Sequence, residues 1–129
     1  MNITGIKETC IYIPDLKKAK AFYHELLGLQ IIGEAEGKHI FFRAGSSVLL
    51  CFNPDDSRHK TSPPAHYSQG KYHFAFEVSP DQYQSHKEEI LSKGIKIIDT
   101  LQWANGLESF YFEDPIGNVL EVVPEGVWD

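Results

Sequence analysis

One spacing occurs twice in this sequence, and it constrains the fold more than any other feature. A β-branched and aromatic run, Glu8–Thr9–Cys10–Ile11–Tyr12–Ile13, ends in Pro14 and Asp15, which reads as a strand leading into a helix cap. Leu16, Ala19, Phe22, Tyr23, Leu26 and Leu27 then recur at helical period and predict a helix over 16–27. Gly28 stands where a helix wants a left-handed C-terminal residue. Strands are predicted over 29–32, 40–43 and 48–52. The order recurs from His73. A strand over 73–78 meets Pro80 and Asp81, a polar helix with Tyr83, Ile90 and Leu91 as apolar contacts runs over 81–93, and Gly94 ends it. Strands over 95–98, 110–113 and 119–123 close the pattern, the last two joined by the turn Asp114–Pro115–Ile116–Gly117–Asn118. Thirteen positions separate Asp15 from Gly28, and thirteen separate Asp81 from Gly94. Matched helix ends favour duplication over chance reuse of element lengths.

The expected fold class is therefore α+β, two tandem βαβββ modules sharing a cleft. A length of 129 residues suits one domain, with module one over 1–53, a loop over 54–70 and module two over 71–129. The loop holds Pro54, Pro63 and Pro64 and little that could pack, and loops of that length are usually functional or linkers.

Charge and composition exclude several classes. A net charge of −6 without a basic block argues against nucleic acid as a partner. No apolar run is long enough to span a bilayer, so no membrane partner is expected. Residues 1–7 lack a basic-then-apolar leader pattern, and Cys10 and Cys51 do not form a disulfide framework, so a cytoplasmic location is expected. There is no nucleophile elbow, phosphate-binding glycine loop or Cys-x-x-Cys motif.

Strand parity sorts the remaining residues. Phe74, Phe76 and Val78 should face the helix, leaving His73, Ala75 and Glu77 on the concave face. In module one Thr9, Ile11 and Ile13 should face the helix, and Glu8, Cys10 and Tyr12 the cleft. Aligning the copies makes Glu8 equivalent to His73 and Leu50 equivalent to Glu121. The cleft then carries two carboxylates and an imidazole at repeat-related sites. Carboxylates in a sheet cleft are costly unless paired or bound to a cation. Glu8, His73 and Glu121 suit a divalent metal such as Zn, Ni, Mn, Co or Fe, with coordination positions left open for substrate. His39 and Phe41 are repeat-equivalent to Ser109 and Tyr111; with Leu50, Phe52 and Trp103 they are the candidate substrate-binding residues. Tyr111 and Glu121 are the candidate catalytic residues, as hydrogen-bond donor or acid and as proton carrier. Cys10 reads as a small apolar liner, and His66 as a solvated loop residue in preference to a lid over the cleft.

On these residues the chain resembles the vicinal oxygen chelate superfamily, which includes glyoxalase I, bleomycin-resistance proteins, fosfomycin-resistance thiol transferases and extradiol dioxygenases. The resemblance lies in Ile13–Pro14–Asp15–Leu16, Ala21–Phe22–Tyr23, Leu26–Leu27–Gly28–Leu29, residues 73–78, and above all residues 109–121 with their Asp-Pro-x-Gly-Asn turn running into Glu121. It implies paired modules forming an open, barrel-like sheet around a metal held by Glu8, His73 and Glu121, and a homodimer. It also implies a divalent-metal enzyme acting on a metal-chelating, oxygen-containing small molecule by lyase, isomerase or thiol-transferase chemistry. The alternative it implies is a metal-free, ligand-sequestering protein of the bleomycin-resistance kind. Three departures bear on the reaction. Glu8 stands where the first ligand is most often His, which weakens the case for an iron dioxygenase. Leu50 replaces a carboxylate typical of glyoxalase I. Glu108 and Glu113 put acid beside the Ser109 and Tyr111 positions, which argues against an anionic phosphonate ligand.

Overall fold

A computed structural model describes all 129 residues, and the chain divides into two compact units, Met1–Gly70 and Lys71–Asp129. Each is a βαβββ-like module built on a four-stranded mixed sheet that stays open.

In the first unit the strands β1 (Glu8–Tyr12), β2 (Ile31–Ala35), β3 (His39–Ala44) and β4 (Ser47–Phe52) lie in the order β1-β4-β3-β2. β1 runs parallel to β4, and the other neighbours are antiparallel. The connection from β1 begins with α1 (Leu16–Ala19), capped by the Asp15 carboxylate, which accepts from the Lys17 and Lys18 amides at 3.1 and 3.3 Å. The predicted single α-helix over 16–27 is different in kind: after α1 the chain widens into a π-helical stretch, Lys20–Leu26. There the Leu27 amide reaches back five residues to the Phe22 carbonyl at 2.9 Å. The wider turn accommodates two successive large rings inside the unit, Phe22 and Tyr23, which meet edge to face at 5.1 Å. Gly28, at φ 78°, then takes the left-handed position that any Cβ would strain. The helix side of the sheet is packed with Ile11, Ile13, Ile40, Phe42, Leu49 and Cys51, all buried. Thr9, expected on that side, lies beyond the helix cover and is exposed. The segment after β4 opens with a short turn of helix, α2 (Pro54–Ser57), capped by Asn53.

The second unit repeats the plan. β5 (His73–Val78), β6 (Asp99–Gln102), β7 (Glu108–Glu113) and β8 (Val119–Pro124) lie in the order β5-β8-β7-β6, with β5 parallel to β8. The second strand of this copy starts four residues later than expected, at Asp99, because residues 95–98 form an irregular lead-in. α3 (Tyr83–Ser92) is shorter than the predicted 81–93 and poor in apolar contacts. Ile90 is buried, but Leu91 is exposed, contrary to its expected packing role. A polar clamp helps hold the helix: Glu108 accepts from Tyr83 Oη at 3.1 Å, Lys87 Nζ at 2.5 Å and Gln102 Nε2 at 2.6 Å. Under the helix side of the sheet lie Phe110, Phe112, Leu120 and Val122.

The turn that carries Glu121 is built by side chains. Asp114 Oδ1 accepts from the amides of Ile116 and Asn118 at 3.0 and 2.9 Å, and Asp114 Oδ2 accepts from Asn118 Nδ2 at 2.8 Å. Asn118 Oδ1 in turn accepts from the Tyr72 amide at 3.0 Å, tying the turn to the start of β5. Gly117 has φ 86° and lies under Lys71, so a Cβ there would be strained and would crowd the Lys71 stem. The motif thus fixes the register in which β8 meets β5.

Candidate metal centre and ligand wall

The strand registers carry the repeat down to single residues. In the first unit Glu8 lies opposite Val48, Cys10 opposite Leu50, and Phe41 opposite Leu50. In the second, His73 lies opposite Val119, Ala75 opposite Glu121, and Tyr111 opposite Glu121. Glu8 therefore answers to His73, Leu50 to Glu121, Phe41 to Tyr111 and His39 to Ser109.

On the second unit's open face the structure gathers His73, Glu121, Tyr111 and Ser109. His73 Nδ1 is 3.0 Å from the Val119 carbonyl. A carbonyl only accepts, so Nδ1 carries a proton in that bond and Nε2 is left to face another partner. Nε2 faces Glu121 Oε2 at 3.3 Å. Glu121 lies on the central strand β8 with its side chain only 7% exposed, and its Oε1 is buried without a hydrogen-bond partner. In the neutral form of the imidazole, this nitrogen and the carboxylate oxygen facing it are two acceptors. They need a cation or a proton between them. Orienting a histidine through a backbone carbonyl is what metal-ligating imidazoles use to fix their tautomer. The residues present thus fit a divalent cation. Glu8, on the first unit's edge strand β1, is exposed. Within one chain, no group of three or more His, Cys, Asp or Glu side chains stands close enough to hold a metal ion.

Tyr111 leans toward this pair, its ring centroid 6.1 Å from that of His73. Burial pushes its hydroxyl up from the usual phenol range, the Glu121 carboxylate adds to the rise, and Ser109 offsets part of it. Tyr111 is therefore a phenol at neutral pH, able to donate. Ser109 is fully buried and accepts from Trp103 Nε1 at 3.1 Å, and Trp103 packs against the exposed Trp128 at 5.1 Å. Glu108, feared as an acid beside Tyr111, faces the helix instead and is consumed by the α3 clamp.

The first unit's open face is aromatic. His39 and Phe41 stack at 4.1 Å with 9° between their planes, and Phe52 meets Phe41 edge to face at 5.3 Å. His66 joins them from the loop, which strand parity could not place. Its ring stands 4.5 Å from that of Phe52, and its Nδ1 is 2.8 Å from the Tyr12 hydroxyl. His66 is thus half-buried on the sheet, not the solvated residue expected. A hint lay in Tyr12, a polar aromatic placed by parity on the open face, whose hydroxyl can take a partner from the loop. Lys60 sets its ammonium 5.2 Å from the Phe52 ring centroid. Burial and the Lys60 charge pull the His39 imidazole below its ordinary range, with Asp56 opposing in part. Cys10 is exposed, but partial desolvation by its neighbours and the Glu8 charge push its thiol up, so it stays protonated; both cysteines are free.

The model of the glyoxalase/bleomycin resistance protein/dioxygenase superfamily matches residues 5–122, and the chain belongs to that superfamily. Among characterised relatives, the glutathione transferase FosA of Serratia marcescens is 26% identical over 93% of this chain and 80% of its own length. The metallothiol transferase FosB of Lysinibacillus sphaericus (strain C3-41) is 25% identical over 94% of this chain and 82% of its own. The crystal structure of lactoylglutathione lyase from Agrobacterium tumefaciens superposes with a TM-score of 0.94 at 31% identity, covering 99% of this chain and 98% of that one. No helix is long and apolar enough to cross a membrane.

Proposed function

We propose that this protein is a divalent-metal enzyme acting on a small molecule that chelates through oxygen, with Glu8, His73 and Glu121 as the metal's protein ligands. The observation that carries the reading is the His73–Glu121 pair: an imidazole whose tautomer is set by the Val119 carbonyl facing a buried carboxylate with one oxygen unpartnered. The metallothiol transferase and lactoylglutathione lyase relatives support the same class of chemistry. A bound cation would supply Lewis-acid stabilisation of a developing oxyanion. Tyr111 donates a hydrogen bond to the substrate oxygen from a phenol that burial keeps protonated. Glu121 holds or moves the substrate proton.

Glu8 belongs to the set through its repeat-equivalent position. β1 and β5 each lie at the edge of their sheet with one flank unpaired. Unpaired edges invite pairing with another chain. A homodimer, in which the first module of one copy completes the second module of the other, accounts for both facts. Light scattering tests this part, and a monomer at micromolar concentration refutes it. The metal reading is tested by elemental analysis of protein purified without chelator, with melting scans in added Mn, Ni, Zn or Co. A ligand at a hundred times its Kd adds about 2.7 kcal/mol, a rise that Glu8→Ala, His73→Ala and Glu121→Ala should each abolish. Absence of stoichiometric metal together with no thermal response overturns it. The metal-free binding reading draws on a different observation, the ring group on the first unit.

A further inference from the structure

The first unit's ring group has the composition of a recognition site. His39 and Phe41 are both half-buried, so part of their stack meets solvent. Phe52 forms the floor, and His66, held by the Tyr12 hydroxyl at 2.8 Å, sets the width of the opening. His39 Nδ1 is buried and has no hydrogen-bond partner. Buried polar atoms are nearly always satisfied, so an orphan of this kind asks for an occupant. An ammonium stands beside these rings, with a carboxylate next to it. Lys60 Nζ lies 5.2 Å from the Phe52 centroid, and its carboxylate neighbour, Asp56 Oδ2, is 3.9 Å away, too far for a hydrogen bond. The ammonium therefore keeps donors free.

Resting on the reading of this face as a ligand wall, and not on the metal reading, we propose that Tyr12, His39, Phe41, Phe52, Lys60 and His66 bind a planar aromatic oxyanion. The ligand is a flat ring carrying a carboxylate or a comparable group. Its ring lies against the Phe41–His39 stack, where flat aromatic surfaces offset or meet edge to face. Its oxyanion takes the free donors of Lys60, and a polar atom on the ring or its substituent satisfies His39. An aliphatic acid lacks the stacking surface. An aromatic cation meets Lys60 as a like charge. Because His39 stays neutral at neutral pH, it offers a hydrogen bond without adding charge.

The experiment follows the ring signals of His39 and His66 by NMR in the full chain, stripped with chelator, during titration with 1-naphthoate. Cyclohexanecarboxylate and 1-naphthylmethylammonium serve as controls. The proposal expects saturable shifts of both histidines with 1-naphthoate alone, and an affinity about tenfold weaker in Lys60→Ala. Lys60 is a half-exposed loop residue, so its removal leaves the core intact. Phe41→Ala should abolish binding, with unchanged far-ultraviolet circular dichroism as the folding control. Equal binding of the cation, equal binding of the aliphatic acid, or an unchanged affinity in Lys60→Ala overturns it. The result separates from the metal reading through Glu121→Ala. If 1-naphthoate binds that variant and the stripped protein normally, the ring site stands even where no metal binds. If binding appears only with added metal, the ring site falls and the metal reading survives.

Discussion

Replacing Glu121 with Gln gives opposite effects in the two states of the protein, and the structure says how large they are. In the metal-free chain the Glu121 side chain is 7% exposed, with one oxygen unpartnered and the other 3.3 Å from His73 Nε2. Gln keeps the shape and removes the charge. Its amide can donate to His73 Nε2, turning a meeting of two acceptors into a hydrogen bond of about 1 kcal/mol. Relief of the buried carboxylate adds a similar amount, so a gain of roughly 1–3 kcal/mol is expected. For a chain of this size each kcal/mol moves Tm by about 3–5 °C. Calorimetry of chelator-stripped protein should therefore show Glu121→Gln melting several degrees above the parent. With saturating metal the order reverses, because the parent gains the binding term and the variant does not. The reasoning fails if the stripped variant melts lower than the parent by a comparable amount. That result means His73 is an imidazolium and the pair is a structural ion pair, whose disruption leaves a buried charge uncompensated.

Other consequences can be measured without a substrate. Asn118→Ala deletes the amide that bridges Asp114 and the Tyr72 backbone, and should cost about 2–4 kcal/mol by urea unfolding. Phe112→Ala, at a ring 1% exposed, should cost about 3–5 kcal/mol by the same measurement. The folded pKa of His39 lies below that of the unfolded chain. Its contribution to stability is therefore full above the ordinary imidazole pKa of about 6.5 and is lost as pH falls through the depressed folded value. His39→Phe should flatten that part of the acid limb in unfolding curves recorded from pH 7.5 down to 5; an unchanged slope refutes it.

Much of this was legible in the sequence because it rests on local rules. Asp15 and Gly28 bracket the first helical segment through capping chemistry that operates over a few residues, and the repeat made the same rules visible twice. Strand parity placed Phe41, Leu50, Tyr111 and Glu121 in their registers, because the period of two leaves no freedom once a buried face is known. The π-helical turn escaped because its cause is tertiary: two adjacent rings must both enter the core. His66 escaped for a related reason. An aperiodic loop carries no signal of where it folds back, and only the Tyr12 hydroxyl reveals its seat. The role of Glu108 was misjudged from proximity in sequence. Parity alone sends it to the opposite side of β7 from Tyr111, and the helix supplies the cations and donors that use it.

The registers also explain how one architecture serves two kinds of surface. At the position shared by Leu50 and Glu121, the first unit has an alkyl chain and the second a buried carboxylate. The neighbouring pair is Phe41 against Tyr111, and the next is His39 against Ser109. At the first two of these positions only the second unit carries a hydrogen-bonding side chain. Each loss of polarity in the first unit is coupled to the next: with Leu50 in place of a carboxylate, a phenol opposite it would lack its acceptor, and Phe41 has none to satisfy. With Phe41 as a bare ring, the imidazole of His39 can stack flat upon it at 4.1 Å. A single added carboxylate would not convert the wall into a second metal face, since it would be half-buried opposite Phe41, which offers it no hydrogen bond. Leu50→Glu is therefore expected to destabilise the protein by several kcal/mol without raising the metal stoichiometry. Gain of a second bound metal per chain in that variant would show that the divergence of the two units is shallower than their side chains indicate.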